Sequence, residues 1–309
     1  MMTVHRAPVT LLVLTFNEER NLPACLESVA GWAADMVVVD SGSTDRTVAI
    51  AEEHGARVVV HPFETHARQW QWALANVPLA TAWVLALDAD QWLMPELRDE
   101  ITERLKRPGD ATGFFLNRRQ IFRGRWIRHG GYYPKYMLKL FRRDSVSVDD
   151  AELVDHHFQV SGPTANLRYD MIEDNRNEAA IAVWLEKHHR YAALQARQDV
   201  LRAAATNRSA DGSAAGESTP PRGANPDERT RHLKRLWARL PLFVRPCLYL
   251  CYRYIFRLGF LDGKQGFIFH VLQGFWYRLL VDIYTDELRG TTSEVRREDA
   301  TRPAKLPMR

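Results

Sequence analysis

Apolar positions in the first hundred residues fall into short unbroken runs separated by stretches of helical spacing. Val9–Thr15, Met36–Asp40, Arg57–His61 and Trp83–Leu87 read as strands, the last apolar along nearly its whole length. Between and after them, Asn21–Val29, Thr44–His54, Ala67–Asn76 and Pro95–Lys106 carry the spacing of amphipathic helices. Strands that alternate with helices of this length imply crossover connections and a mostly parallel sheet. Further strands are expected at Gly113–Leu116 and Tyr136–Phe141, and a helix over Ile181–Arg202.

Beyond residue 202 the pattern changes. Residues 203–231 are small, polar and rich in Pro and Gly, as in a flexible linker or loop. Residues 232–288 are rich in Leu, Phe, Tyr and Trp and read as helical, and 289–309 read as a disordered tail. This divides the chain into an α/β domain (1–202), the linker, the aromatic block and the tail.

Length and composition fit an ordinary globular protein, but the charge is uneven. The 309 residues carry a formal net charge of +4. Ten of the basic residues lie between Arg229 and Arg278, where Asp262 is the one acid. Arginines set singly among aromatic residues, as in "PLFVRPCLYLCYRYIFRLGFL", suit helices lying in a membrane interface. No recognition motif accompanies them, so nucleic acid is not expected as a partner. No run of 18 apolar residues predicts a crossing helix, and the apolar "APVTLLVLTF" is expected to be a first strand rather than a signal peptide. Three cysteines make no disulfide framework and fit a reducing compartment.

In an open α/β sheet, ligands bind beyond the carboxyl ends of the strands. Thr15–Glu18, Asp40–Ser43 and Asp88–Asp90 all fall at such ends. Strand alternation sends Asp88 and Asp90 to the same side, where two carboxylates repel unless a cation lies between them. A divalent metal that also holds substrate phosphates is the natural one. In "VVVDSGSTDRT", Val37–Thr47, Gly42 allows a tight turn, Ser43, Thr44 or Asp45 caps the next helix, and Asp40 is placed to accept hydrogen bonds from a base or ribose. Neither a dinucleotide fingerprint nor a Walker loop is present.

"LTFNEERNLPACLESV", "VVVDSGSTDRT", "WVLALDADQW" and "GGYYPKYMLKLFRR", in that order, resemble glycosyltransferase family 2, particularly bacterial lipopolysaccharide-core and exopolysaccharide glucosyltransferases. The likeness runs from about Val9 to Tyr191 and, more loosely, through "GFLDGKQGF" near Gly259. It implies a nucleotide-sugar-binding α/β fold of the GT-A type and transfer with inversion. It implies that Thr15, Phe16, Asn17 and Glu18 line the nucleotide pocket, that Asp40 contacts uracil or ribose, that Asp88 lies near the ribose, and that Asp90 binds Mg²⁺ or Mn²⁺ on the diphosphate. Asp88 is the second candidate metal ligand. Arg142 and Arg143 are candidates for a phosphate clamp.

The general base is expected in "LVDHHF", Leu153–Phe158, where relatives carry Val-His-Glu or Val-Asp-Glu. His156 stands in place of the glutamate, so Asp155 and His156 are both candidates. No third ligand supports zinc on His156 and His157. Gln91, Trp70 and Gln71 also depart from the usual Glu, Arg and Asn. The expected activity is metal-dependent transfer of a hexose from a UDP-sugar to a glycan or lipid-linked saccharide. The expected place is the cytoplasmic face of a bacterial inner membrane, with a peripheral or monotopic attachment to its anionic surface. The alternatives are a catalytically silent membrane scaffold of the same fold and a nucleotidyltransferase.

Overall fold

The computed structural model describes residues 6–148, 157–210 and 240–301. Its first half alternates as the pattern predicts: β1 (Ala7–Thr15), α1 (Leu22–Glu27), β2 (Ala33–Asp40), α2 (Thr47–Glu53), β3 (Arg57–Val60), α3 (His66–Asn76) and β4 (Trp83–Asp88). Then come β5 (Gln91–Leu93), α4 (Pro95–Lys106), β6 (Gly113–Phe122), β7 (Arg125–Trp126), β8 (Tyr136–Arg142), β9 (Val146–Val148), β10 (Phe158–Val160), β11 (Thr164–Glu173) and α5 (Ile181–Ala210). The main sheet has the order β3-β2-β1-β4-β8-β6-β11-β5, with β7 paired to the end of β6. Of these, β3, β2, β1, β4, β6 and β11 run the same way, while β8 and β5 run against them.

The near-continuous apolar runs are explained by two cores, one on each face of the sheet. Val9, Leu11 and Val13 of β1 face α1 and α4, packing with Leu22, Cys25, Leu97 and Ile101. Leu12 joins Val37, Val39 and Val84 on the other face, where Trp70 and Ala73 of α3 cover them. At about 25 cal/mol per Å², burying such side chains on both faces is the main force holding the central strands. Register then fixes the edge: Thr15 lies beside Asp40 and Leu14 beside Asp88, so three polar strand ends share one rim.

Three boundaries differ most from the sequence reading. β6 runs on to Phe122, because Gln120–Phe122 pair with β11 or β7. α5 continues to Ala210, through the first eight residues of the expected linker. The last helix extends to Thr301, into the expected tail.

The C-terminal block is helical: α6 (Val244–Cys251), a π-helical turn (Tyr252–Phe256), a 3-10 turn (Gly259–Asp262), α7 (Gly263–Phe269), a second π-helical turn (His270–Trp276) and α8 (Tyr277–Thr301). It packs on the main sheet rather than standing apart. Phe269 joins Phe122, Ile127, Tyr132 and Trp184 in one cluster, and Tyr277 and Val281 of α8 pack on Ala192 and Ala196 of α5. Because Phe122 ends β6, this docking lies at the carboxyl rim of the sheet. Among the described residues no helix is long and apolar enough to cross a membrane.

Candidate active site

The loops after β1 and β2 are stitched together by side chains reaching into each other's backbone. The Asn17 N–H donates to Ser43 Oγ at 2.8 Å, and the Thr44 N–H donates to Asn17 Oδ1 at 2.8 Å. The Glu18 N–H donates to Thr47 Oγ1 at 2.7 Å. Asn17 adopts φ +55°, a left-handed conformation that Asn tolerates better than most residues. Asp40 is buried and organises the rim. Its carboxylate accepts from Thr15 Oγ1 (2.8 Å), the Gly42 N–H (2.9 Å), the Ser43 N–H (2.8 Å) and Ser43 Oγ (2.5 Å). Four protein donors occupy most of the lone pairs expected to meet a base or ribose. Phe16 stands exposed above this pair of loops.

The second half of the site is a cluster of acids. β4 ends at Asp88, and Ala89 and Asp90 form a turn into β5, so a turn rather than strand alternation presents Asp90. Asp88 Oδ2 accepts from Lys139 Nζ of β8 at 2.8 Å, and its N–H donates to Gln91 Oε1 at 3.1 Å. Gln91 Nε2 donates to Glu173 Oε2 at 2.7 Å, and Arg118 Nη1 donates to Glu173 Oε1 at 2.8 Å. Burial, then Glu173 and Asp88, push the Asp90 carboxyl well above the usual carboxylate range. Glu18 is raised too, by burial first, although the Asn21 side-chain amide and Lys187 oppose it. Lys187 of α5 reaches in beside them. Burial works against its charge, but Glu178, with Nζ to Oε1 at 2.5 Å, and Asp90 raise its pKa overall. Cys25 lies beneath, its thiol pushed up by burial and by Asp90 and Asp88, so it is no nucleophile.

A divalent cation fits this arrangement. Asp90 is an acid held against ionisation by burial first and then by its acidic neighbours, and a cation would offset both. Among the described residues no group of three ligating side chains gathers around one point. A metal held at Asp90 would therefore draw its remaining ligands from water and phosphate oxygens, as Mg²⁺ commonly does. Asp88, already paired with Lys139, is the poorer ligand of the two.

The sequence-expected residues thus divide. Thr15, Phe16, Asn17, Glu18, Asp40, Asp88 and Asp90 share the carboxyl rim. Arg142 and Arg143 do not. β8 runs antiparallel to β4, and its register pairs Arg142 with Trp83 at the start of β4, the opposite edge from Asp88. There Arg142 forks onto Asp144 (2.8 and 3.2 Å) and Arg143 Nε donates to the Leu74 carbonyl at 3.1 Å. The same antiparallel turn carries Lys139 to the rim instead. Asp155 and His156 lie outside the described residues. Lys139, Glu173, Arg118 and Lys187 were missed. Each comes from an element distant in sequence, and no local motif marks it.

Comparison with known proteins agrees with the geometry. Residues 10–160 match the family described as Glycosyl transferase family 2. Residues 10–160 belong to glycosyltransferase family 2. The family 2 match makes the chain an enzyme of the glycosyltransferase class. It is similar to the lipopolysaccharide core biosynthesis glycosyltransferase LpsC of Rhizobium meliloti (strain 1021), 28% identical over 202 residues, covering 64% of this chain and 73% of LpsC. It is also similar to an uncharacterized glycosyltransferase of Rickettsia bellii (strain RML369-C), 40% identical over 93 residues, but this spans only 30% of the chain and 31% of that protein. Among solved structures, TarS of S. aureus aligns over 89% of this chain and 55% of its own at 14% identity and a TM-score of 0.40.

Proposed function

We propose that this family 2 enzyme transfers a hexose, glucose by preference, from a UDP-sugar to a lipopolysaccharide-core, exopolysaccharide or lipid-linked saccharide acceptor. One observation carries the reading: Asp90, raised in pKa among Asp88, Glu173 and Glu18, stands at the rim beside the stitched loops of β1 and β2. That pairs a candidate cation site with a polar rim of the right chemistry for a nucleoside diphosphate. Asp90 would hold a Mg²⁺ or Mn²⁺ ion, whose positive charge would offset the charge of the leaving diphosphate.

The acceptor hydroxyl oxygen bonds to the anomeric carbon while the bond from that carbon to the diphosphate breaks, inverting its configuration. Asp155 or His156 takes the hydroxyl proton. Lys187 and Lys139 keep the acid cluster from excess negative charge. Thr15, Phe16, Asn17 and Glu18 shape the nucleotide pocket, and Asp40 holds the turn that frames it.

The acceptor reading draws on the likeness to LpsC. The place of work proposed with it is the cytoplasmic face of the inner membrane. Phe243, Val244, Leu248, Tyr252, Ile255 and Phe256 leave an apolar face of the C-terminal block uncovered, which is the support for that attachment.

The test is a panel of nucleotide sugars, scored for Mn²⁺- or Mg²⁺-dependent binding and slow hydrolysis. UDP-glucose should bind only with metal, and Asp90→Ala should abolish turnover while the protein stays folded. Full activity of Asp90→Ala, or equal activity in chelator, would overturn the metal role. A protein that bound no nucleotide sugar would be the silent scaffold. For the base, Asp155→Asn or His156→Ala should lower turnover about 10²–10⁴-fold with donor binding little changed. Wild-type turnover in both places the base elsewhere.

A further inference from the structure

Two motifs have no part in the chemistry above: "GGYYP" after β7 and "GFLDGKQGF" in the C-terminal block. The fold clasps them together. The His129 N–H donates to buried Asp262 at 2.9 Å, and His129 Nδ1 lies 2.7 Å from the other Asp262 oxygen. The Gly130 N–H donates to the Arg257 carbonyl at 2.9 Å. A Cβ built on Gly131, at φ +74°, would lie 3.6 Å from Arg253 Nη1 and 3.6 Å from both Nε and Nη2 of Arg257. Two guanidinium groups therefore converge on one point above a residue with no side chain.

Among the described residues nothing anionic pairs with them. Asp262, the acid of that segment, is taken by His129. Among the described residues neither guanidinium makes an ion pair or hydrogen bond. Arg253 lies over the Tyr132 ring (4.0 Å) and the Tyr249 ring (4.9 Å), and its Nε is buried without a partner. Stacking holds the group in place while leaving its N–H edge unused. Two convergent, pre-positioned forks suit an oxyanion. A phosphate, whose oxygens point several ways, bridges two separate forks better than a carboxylate does.

The rim says what carries that phosphate. Ile255, Phe256, Leu258 and Phe260 flank the two arginines in sequence and are exposed, Phe256 at 76%. A charged site set in an uncovered apolar surface fits an anion attached to a hydrocarbon tail. We propose that Arg253, Arg257 and Gly131 form a binding site for the phosphate of a lipid headgroup. The site rests on the membrane attachment proposed above and adds a specific contact to it, on the rim that holds the donor cleft.

The full chain is tested by co-sedimentation with phosphatidylcholine vesicles, alone, with phosphatidic acid, or with oleate at equal surface charge. Wild type should bind the phosphatidic acid vesicles best. Arg253→Gln/Arg257→Gln should weaken that binding about tenfold or more, since each cation near an anionic surface contributes appreciably. Arg257→Gln alone, at an exposed position, should give a partial loss with an unchanged circular dichroism spectrum, which separates the site from misfolding. Arg104→Gln/Arg107→Gln, the same charge change at the C-terminal end of α4, should have no effect. Wild-type binding by the double variant, or equal loss in the α4 variant, would overturn the site and leave the attachment standing. Equal binding to oleate would overturn the choice of phosphate. Capture of inorganic phosphate without any vesicle binding would overturn the lipid source, and with it the attachment.

Discussion

At the residue scale, the site is built from charges that the fold holds against their preference. An acid whose pKa is raised by folding binds its proton more tightly folded than unfolded. Its favourable contribution is greatest at low pH and is lost as pH rises from the unfolded carboxylate value through the raised folded one. Asp90, and Glu18 with it, should therefore make the metal-free protein less stable as pH climbs above the ordinary carboxylate range. Asp90→Asn removes the larger source. It should raise Tm at neutral pH and flatten that slope, while losing the further rise in Tm that UDP plus Mn²⁺ gives wild type. Scanning fluorimetry across that pH range checks both, and a lower Tm in Asp90→Asn would show that the repulsion is already relieved. Lys139 works in the opposite sense. It is buried, and its partner Asp88 is 39% exposed on the side chain. Lys139→Met deprives Asp88 of its buried counter-ion. Because Asp88 reaches solvent, the cost should be about 1–3 kcal/mol rather than that of a fully buried pair. A shift in the urea midpoint at unchanged slope measures it.

At the element scale, the clasp between the β7–β8 loop and the C-terminal block depends on glycine. Gly130 has φ +69°, and a Cβ there would meet the His270 ring at 2.0 Å. His270 is itself buried with both ring nitrogens unpartnered and its pKa lowered to about 4, by burial and by Arg253. It thus stays a neutral, close-packed wedge at neutral pH. Gly130→Ala should cost more than the roughly 1 kcal/mol of a tolerated change at left-handed φ, because the ring has nowhere to move. Limited proteolysis should show the C-terminal block cut earlier than the catalytic sheet. The elements themselves were largely legible in the sequence: an apolar run such as Trp83–Leu87 between turn residues has few readings, and the rim residues Thr15, Asp40 and Asp88 follow from where the runs stop. Strand direction was not legible. Tyr136–Phe141 reads as a strand either way, and only its antiparallel course puts Lys139 rather than Arg142 at the rim. Glu173 and Lys187 were invisible for a related reason. β11 and α5 bring them beside Asp90 by pairing and packing over long separations, which leave no local pattern.

At the scale of the whole molecule, the C-terminal block has two faces, and they predict opposite consequences of its removal. Its inner face is part of the core. Phe269 packs with Phe122, Ile127, Tyr132 and Trp184, and Tyr277 and Val281 cover α5. Its outer face is the uncovered apolar surface from Phe243 to Phe267, with Arg253, Arg257 and Lys264 among the apolar residues. An anchor joined by a bare linker would come away cleanly, leaving a soluble catalytic half. Deleting residues 240–301 here exposes Trp184, Phe122 and Ile127 instead, each of which contributes on the order of 1.5–3 kcal/mol when buried. The truncated chain should therefore aggregate, and it should elute as large species in size-exclusion chromatography with or without detergent. The full chain should behave differently on membranes. Its electrostatic attraction to an anionic surface is screened within about 10 Å at 0.1 M salt, whereas its apolar contact is not. In a flotation assay with anionic vesicles, high salt should release part of the bound protein and detergent the rest. A full chain that ignores anionic vesicles at low salt, or a truncated one that is monomeric and stable, would show that one of the two faces has been misread.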